Sequence, residues 1–394
     1  MAQQPSLRGM TWSHPRGLDP LVACVPPLRD RGVAVTWDAR SLQGFEEASI
    51  QHLATQYDLI AIDHPFLGDA FRQGALHPVD GIVGEAFVDE LRASSVGPSF
   101  QSYLWKDRLW AIPVDAAAQV AAFRADLLAD LGRAVPRSWA EVRALVDALP
   151  AGRSVAMPAN PTHVLLAFGT ICHAVAADRS TQADLRPRWW RDDGFDPETA
   201  RAALALLRSL LDALHPMSWD SDPIQIFDHM VGNDDVVYTP IAFGYSNYAR
   251  PSSYERPLGF CGVPSMDGAV IGGMLGGVGL CVSRQCRDLE AAAAVLRFVA
   301  ASGTQRGLYT EAGGQPAHRE AWIDERVNTI CPNFFAPTLA SLDASFVRPR
   351  LPGYPAFQRE GGEVLHRLLR QGASDDEMIA AMNALWSEIR ERDV

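Results

Sequence analysis

The chain has 394 residues, 47% apolar and 21% charged, a composition typical of a folded globular protein. That length exceeds what one hydrophobic core normally serves, so two domains are expected. Lys and Arg total 35 against 47 Asp and Glu, a formal net charge of -12, which argues against the basic face that nucleic-acid binding needs.

No stretch reaches the ~18 consecutive apolar residues of a membrane span, so no direct membrane insertion is expected. The amino terminus, MAQQPSLRGMTWSHPRG, shows no basic start followed by an apolar segment. The chain as written therefore reads as cytoplasmic, with the periplasm as the alternative if a signal segment has been removed. Cys24, Cys172, Cys261, Cys281, Cys286 and Cys331 are scattered, without a CxxC pair or zinc-type histidine spacing. They read as buried thiols suited to a reducing compartment. No metal and no cofactor is expected.

In chain order, LRGMTW (7–12) and GVAVTWDA (32–39) read as short strands around a helical stretch, DPLVACVPPL. Tyr57 to Ile62 is a third strand, and this alternation marks βαβ units and a parallel sheet. Trp110 to Val114 is extended around a proline, Ala116 to Arg124 resumes a strand, and a helix from Asp126 stops at Gly132. Ser138 with Glu141 forms a capping box for a helix running to Pro150. The segment 195–214 is an amphipathic helix with Pro197 in its first turn. Strand texture returns near 257, and glycine is dense between Gly268 and Gly279, a sign of bulges or close backbone approach. The helix DLEAAAAVLRFVAAS follows, and a capped amphipathic helix closes the chain.

Three segments carry a resemblance: YDLIAIDHPFLGDAFRQGALHPVD, KDRLWAIPVDAAAQVAAFRADLLADLGRAVPRSWAEV and GGVGLCVSRQCRDLEAAAAVLRFVAASGTQRGLYTEAGGQPAHREAW. In their order and separation they resemble the extracellular solute-binding proteins of ABC importers, in the carbohydrate-binding family that includes maltose-binding protein. The resemblance implies an α/β, periplasmic-binding-protein-like fold, with two lobes, a ligand cleft and a hinge that closes over the solute. It places one lobe at 1–112 plus 260–312 and the other at 113–259 plus 313–394.

Ring-bearing polar solutes are held by hydrogen bonds from polar side chains and by aromatic faces, so candidates are sought in loops after strands. Trp12, Ser13, His14 and Arg16 follow the first strand. Asp63 and His64 follow the third, where the resemblance also places a ligand contact; the competing reading is a polar turn with Asp63 as a cap. Asp115 falls at an implied lobe crossing and suits either a hinge hydrogen bond or a ligand contact. Asn160 and His163 precede a helix whose amino end suits an anion. Tyr238, Phe243, Tyr245 and Asn247, with Tyr248 nearby, form a dense aromatic group that reads as a ligand platform. Gly276 and Gly277 could admit a solute close to the backbone, or simply pack tightly. Gln315, His318 and Arg319 are implied by the resemblance, and Trp189-Trp190 reads as packing.

No nucleophile elbow, P-loop or dinucleotide fingerprint is present. The leading expectation is thus a binding protein for a small polar solute, a carbohydrate or polyhydroxy acid, with importer membrane subunits as partners if the chain is exported. The alternatives are a cytosolic enzyme on the same scaffold, with Asp63, His64 and Asp115 doing acid/base work, and a cytosolic solute sensor.

Overall fold

A computed structural model describes residues 6–41, 49–178 and 189–392. Its first strands are β1 (Ser6–Trp12), β2 (Ala34–Arg40), β3 (Leu59–Ile62), β4 (Leu76–His77), β5 (Leu104–Trp105) and β6 (Arg108–Leu109). They are followed by β7 (Ile112–Phe123), β8 (Ser154–Val155), β9 (Trp190–Arg191), β10 (Gly194–Phe195), β11 (Val236–Phe243), β12 (Gly259–Cys261) and β13 (Leu275–Ser283). Helices separate most of them, which makes the chain α/β.

The chain forms two compact units, 1–117 with 276–336 and 349–352, and 118–275 with 337–348 and 353–394. Segments 113–117 and 313–336 thus cluster with the first unit and 260–275 with the second, whereas the resemblance suggested the reverse. The reason is local pairing. Ala116 donates its N–H to the Gln315 carbonyl at 3.0 Å, and Ala317 donates to Val114, tying 113–117 to the late loop. Gly259 to Cys261 pair with Ala121 to Phe123 and so belong with the second unit.

In the first unit β1 lies between β2 and β3, parallel to both, and β13 runs antiparallel to β3. β3, LIAI, is buried along its whole length, as a strand covered on both faces must be. Its core includes Met10, Leu59, Ile60, Leu280, Val282, Val295 and Leu296. In the second unit β7 pairs antiparallel with β11 and β12, and β11 runs parallel to β8. β7 is one continuous strand through Pro113, not an extended piece followed by a separate strand. Proline is tolerated there because it is the strand's second residue, where a missing ladder N–H costs little.

The helix Trp139–Ala148 starts on the expected capping box: Ser138 Oγ accepts from Glu141 N–H at 3.2 Å while Glu141 accepts from Ser138 N–H. Ser138→Ala is expected to lower unfolding free energy by about 1 kcal/mol in urea titration, with the slope unchanged; no loss would mean that Glu141 alone holds this end.

Trp189 and Trp190 pack as expected. Trp190 lies against Phe195, Tyr354, Phe357 and Trp386, with ring centroids 5.0–5.7 Å apart. The cysteines, all within the described residues, form no disulfide, and burial pushes the Cys24 and Cys261 thiols up to about 12. Among the described residues no helix is long and apolar enough to cross a membrane.

The glycine-dense run has a structural cause. A Cβ on Gly272 would sit 1.9 Å from the Ala344 carbonyl oxygen, one on Gly273 2.1 Å from that of Gln119, and one on Gly277 2.4 Å from that of Asp115. Gly277 also has φ +96°, which L side chains rarely adopt. Close backbone approach by neighbouring segments accounts for these positions.

Candidate functional site

In the first unit, parallel β1 and β3 end at Trp12 and Ile62, and the segments beyond them carry Ser13, His14, Arg16, Asp63 and His64. This is the end of an α/β sheet where ligands bind. The β3 loop turns at once into a short 3-10 helix, His64–Phe66, capped by Asp63. Asp63 Oδ1 accepts from His64 N–H at 2.9 Å and lies 3.1 Å from His64 Nδ1. Its side chain is 22% exposed, whereas the His64 ring is fully enclosed, edge-on to Tyr103. His64 therefore holds the Asp63 carboxylate in place from below and does not itself reach solvent.

After β1, Trp12 turns inward, its ring filling the space that a side chain on Gly17 would need. Ser13 is exposed, and its N–H donates to the Arg40 carbonyl. His14 caps the helix Pro15–Ala23, its Nδ1 accepting from Arg16 N–H at 3.0 Å. Burial, aided by the Arg16 charge, lowers the imidazole to about 4, so it caps as the neutral base.

Arg16 is 4% exposed and forms a two-pronged ion pair with Asp115: Nε donates to Oδ2 at 2.8 Å and a terminal nitrogen to Oδ1 at 2.5 Å. Burial pushes the Asp115 carboxyl up, Arg16 pulls it down, and the Asp63 charge adds an upward push. The two carboxylates and the one guanidinium thus form a single electrostatic group. Tyr309, which sequence reasoning missed, is buried close enough to sense the charges of both Asp115 and Arg16.

The late loop is largely structural. Gln315 is buried and donates its amide to the Ala116 carbonyl at 2.8 Å, clamping the β7 segment beside Asp115. His318 caps the helix Arg319–Ile323 through Nδ1, and Arg319 is half-buried in that helix's first position. Gly276 and Gly277 open β13, whose Gly279 faces Ile62 at the end of β3.

The second unit gathers a separate set. Asn160 precedes the helix Pro161–Asp178, and its side-chain oxygen accepts from His163 N–H at 3.0 Å and lies 2.8 Å from His163 Nδ1. Burial and the nearby Arg348 charge lower His163 to about 3. Arg348, also missed in the sequence, is 3% exposed, donates to Gln358 and stacks over the half-buried Phe243 ring. Asn247 is half-buried in the turn after β11. Tyr238, Tyr245 and Tyr248 are buried, the last two against Phe227 of the helix Pro223–Gly232. That helix supplies the wall that makes a core of rings which, on sequence, looked too numerous for one.

The arrangement can accept and donate hydrogen bonds to an uncharged polar molecule. At the strand end the exposed partner of the imidazole–carboxylate contact is the Asp63 carboxylate, while the His64 ring is enclosed.

A family model described as bacterial extracellular solute-binding protein matches residues 41–322. No curated protein sequence matches significantly. Among solved structures, maltose-bound MalE3 of T. maritima is similar at 14% identity and TM-score 0.80, over 98% of this chain and 99% of that one. A solute-binding protein of Agrobacterium radiobacter K84 in complex with ribitol has 18% identity and TM-score 0.77, over 98% of each chain. UgpB from Mycobacterium tuberculosis, in complex with glycerophosphocholine, has 16% identity and TM-score 0.77, over 99% and 100%.

Proposed function

Since the chain belongs to the bacterial extracellular solute-binding protein family, we propose that it captures an uncharged polyhydroxylated solute, a sugar or sugar alcohol, for an ABC importer. The observation that carries this is the Asp63 carboxylate, partly exposed at the carboxyl end of β3, where it accepts from the His64 N–H and lies beside the His64 ring. A carboxylate presents acceptors to paired hydroxyls, and charge-assisted bonds of this kind are the stronger ones. With Asp115 nearby and Arg16 already engaged by it, added negative charge is disfavoured, which ranks a neutral polyol above a polyhydroxy acid. Maltose and ribitol, seen with two structurally similar proteins, support that class.

Within the same reading, His14 and Arg16 join Asp63 as the contacts proposed in the first unit; Asn160, His163, Phe243, Asn247 and Arg348 are, taken by themselves, the candidates of the second. The acid/base enzyme alternative is disfavoured by the enclosure of His64. The family's description supports a location outside the cytoplasmic membrane, which cell fractionation with an antibody would test; a purely cytosolic signal would overturn it.

Calorimetric titration with maltose, ribitol, mannitol and gluconate is expected to find binding among the first three and none for gluconate. Asp63→Asn, which keeps the shape and the cap, is expected to weaken that binding by at least ~10-fold, the loss of one charge-assisted bond. A preference for gluconate, unchanged affinity in Asp63→Asn, or conversion of the solute would each overturn the reading.

A further inference from the structure

His215, His229 and Asp235 converge in the second unit, and none of them is among the candidate residues. His215 caps the 3-10 helix Pro216–Asp220, His229 lies on the helix Pro223–Gly232, and Asp235 immediately precedes β11. His229 Nε2 lies 2.7 Å from Asp235 Oδ1, and His215 Nε2 lies 3.3 Å from Asp235 Oδ2. One candidate ligand atom from each residue lies within 4.8 Å of the other two, and the side chains are 27%, 24% and 38% exposed.

The backbone holds this geometry independently. His215 N–H donates to the Val155 carbonyl at 2.8 Å, Ser154 N–H donates to the Asp235 carbonyl, and Asn233 N–H donates to that of His229. Three elements are thus anchored around one point before any side chain is considered.

We propose that His215, His229 and Asp235 form a binding site for a borderline divalent cation, Zn2+ above all, that staples these three elements. Two imidazoles and a carboxylate suit zinc, copper or nickel better than magnesium or calcium, which prefer all-oxygen shells. Tetrahedral zinc with bonds of ~2.0–2.1 Å sets its ligand atoms about 3.3 Å apart, which the present spacing reaches with small side-chain shifts. Partial exposure leaves room for water as the fourth ligand.

Binding uses the Nε2 lone pair of each ring, and the protons now shared with Asp235 are displaced. His215 must carry its ring proton on Nδ1, so its 3.2 Å contact with Met217 N–H gives way. At His229 the Asn233 side-chain amide lies 3.4 Å from Nδ1, and turning its oxygen to accept the proton there gives up the amide's 3.1 Å bond to the His229 carbonyl. Such an outer partner fixes the ring for the metal.

The test uses untagged, chelator-treated full chain, because an affinity tag of histidines would bind the same metal. Titration with ZnCl2 is expected to show one Zn2+ per chain and a thermal midpoint that rises with zinc, since the ion binds only the folded form. His229→Gln and Asp235→Asn, each verified as folded by circular dichroism, are expected to weaken binding at least ~10-fold and to abolish the midpoint shift. Equal binding in both variants would place the metal elsewhere and overturn the proposal. So would no binding by wild type up to ~1 mM Zn2+, well above the concentrations at which built zinc sites fill.

Discussion

Asp115→Ala is expected to destabilise the protein by about 3–5 kcal/mol, read as a lowered midpoint in guanidinium titration at pH 7. Arg16 is 4% exposed and donates two charge-assisted bonds to Asp115. Removing the carboxylate leaves a guanidinium that cannot deprotonate in a site that water hardly enters. The loss is dominated by the desolvated guanidinium losing its buried two-pronged counter-charge and not by the net strength of the pair, because desolvation offsets most of the attraction in a buried ion pair. The double variant Arg16→Met/Asp115→Leu is therefore expected to recover most of the stability while remaining unable to offer these polar groups to a solute. A loss below ~1 kcal/mol for Asp115→Ala would show that Arg16 swings out to water, and would remove the Arg16–Asp115 pair from the candidate site. The pair also joins β7 to the helix after β1, so its rupture is expected to loosen the loop ends on which the proposed binding depends.

Mild acid is expected to destabilise the protein well before its carboxylates titrate as a group. His14 and His173 are lowered to about 4 and His163 to about 3, chiefly by burial, from an ordinary value of 6.5. For a histidine held neutral in the fold, the unfolded chain takes up the proton first. Stability is thus fully present above pH ~6.5 and is lost as pH falls from there toward the folded values. The slope is about 1.4 kcal/mol per pH unit for each such histidine, so the three together cost about 4–6 kcal/mol between pH 6.5 and 5, taken as an upper bound. Asp115 and Asp222, raised by burial, take up protons earlier in the folded state and oppose the loss as pH approaches their folded values. At His14 the effect has a local consequence, because protonating Nδ1 removes the acceptor that Arg16 N–H uses in the helix cap. Urea titrations at pH 7, 6 and 5 measure the slope. His173→Phe, which keeps a ring against Phe346, is expected to make it shallower by about one histidine's share. A flat profile between pH 7 and 5 would mean that these imidazoles have access to solvent.

Local chemistry made the elements legible. The capping box of Ser138 and Glu141, Asp196 ahead of Pro197, and Gly132 in the left-handed region at a helix end act over three or four residues. The all-apolar LIAI announced a strand covered on both faces, and its polar end announced the Asp63 loop. Those signals sufficed for an α/β chain of this family and for the principal candidate carboxylate.

Tertiary structure decided the partners. Nothing near Arg16 in sequence shows that Asp115, 99 residues on, neutralises it. Nothing near Phe243 shows that Arg348 lies over its ring. Tyr245 and Tyr248 looked like part of a platform until the helix Pro223–Gly232 supplied a wall for them, and Gly272, Gly273 and Gly277 acquired their reason only from the carbonyls that approach them. His215, His229 and Asp235 match no metal-ligand spacing because a helix, a 3-10 turn and a strand start each contribute one residue. Capping and periodicity are short-range and can be read along the chain, whereas a buried charge, a packed ring or a ligand set depends on segments that only folding brings together.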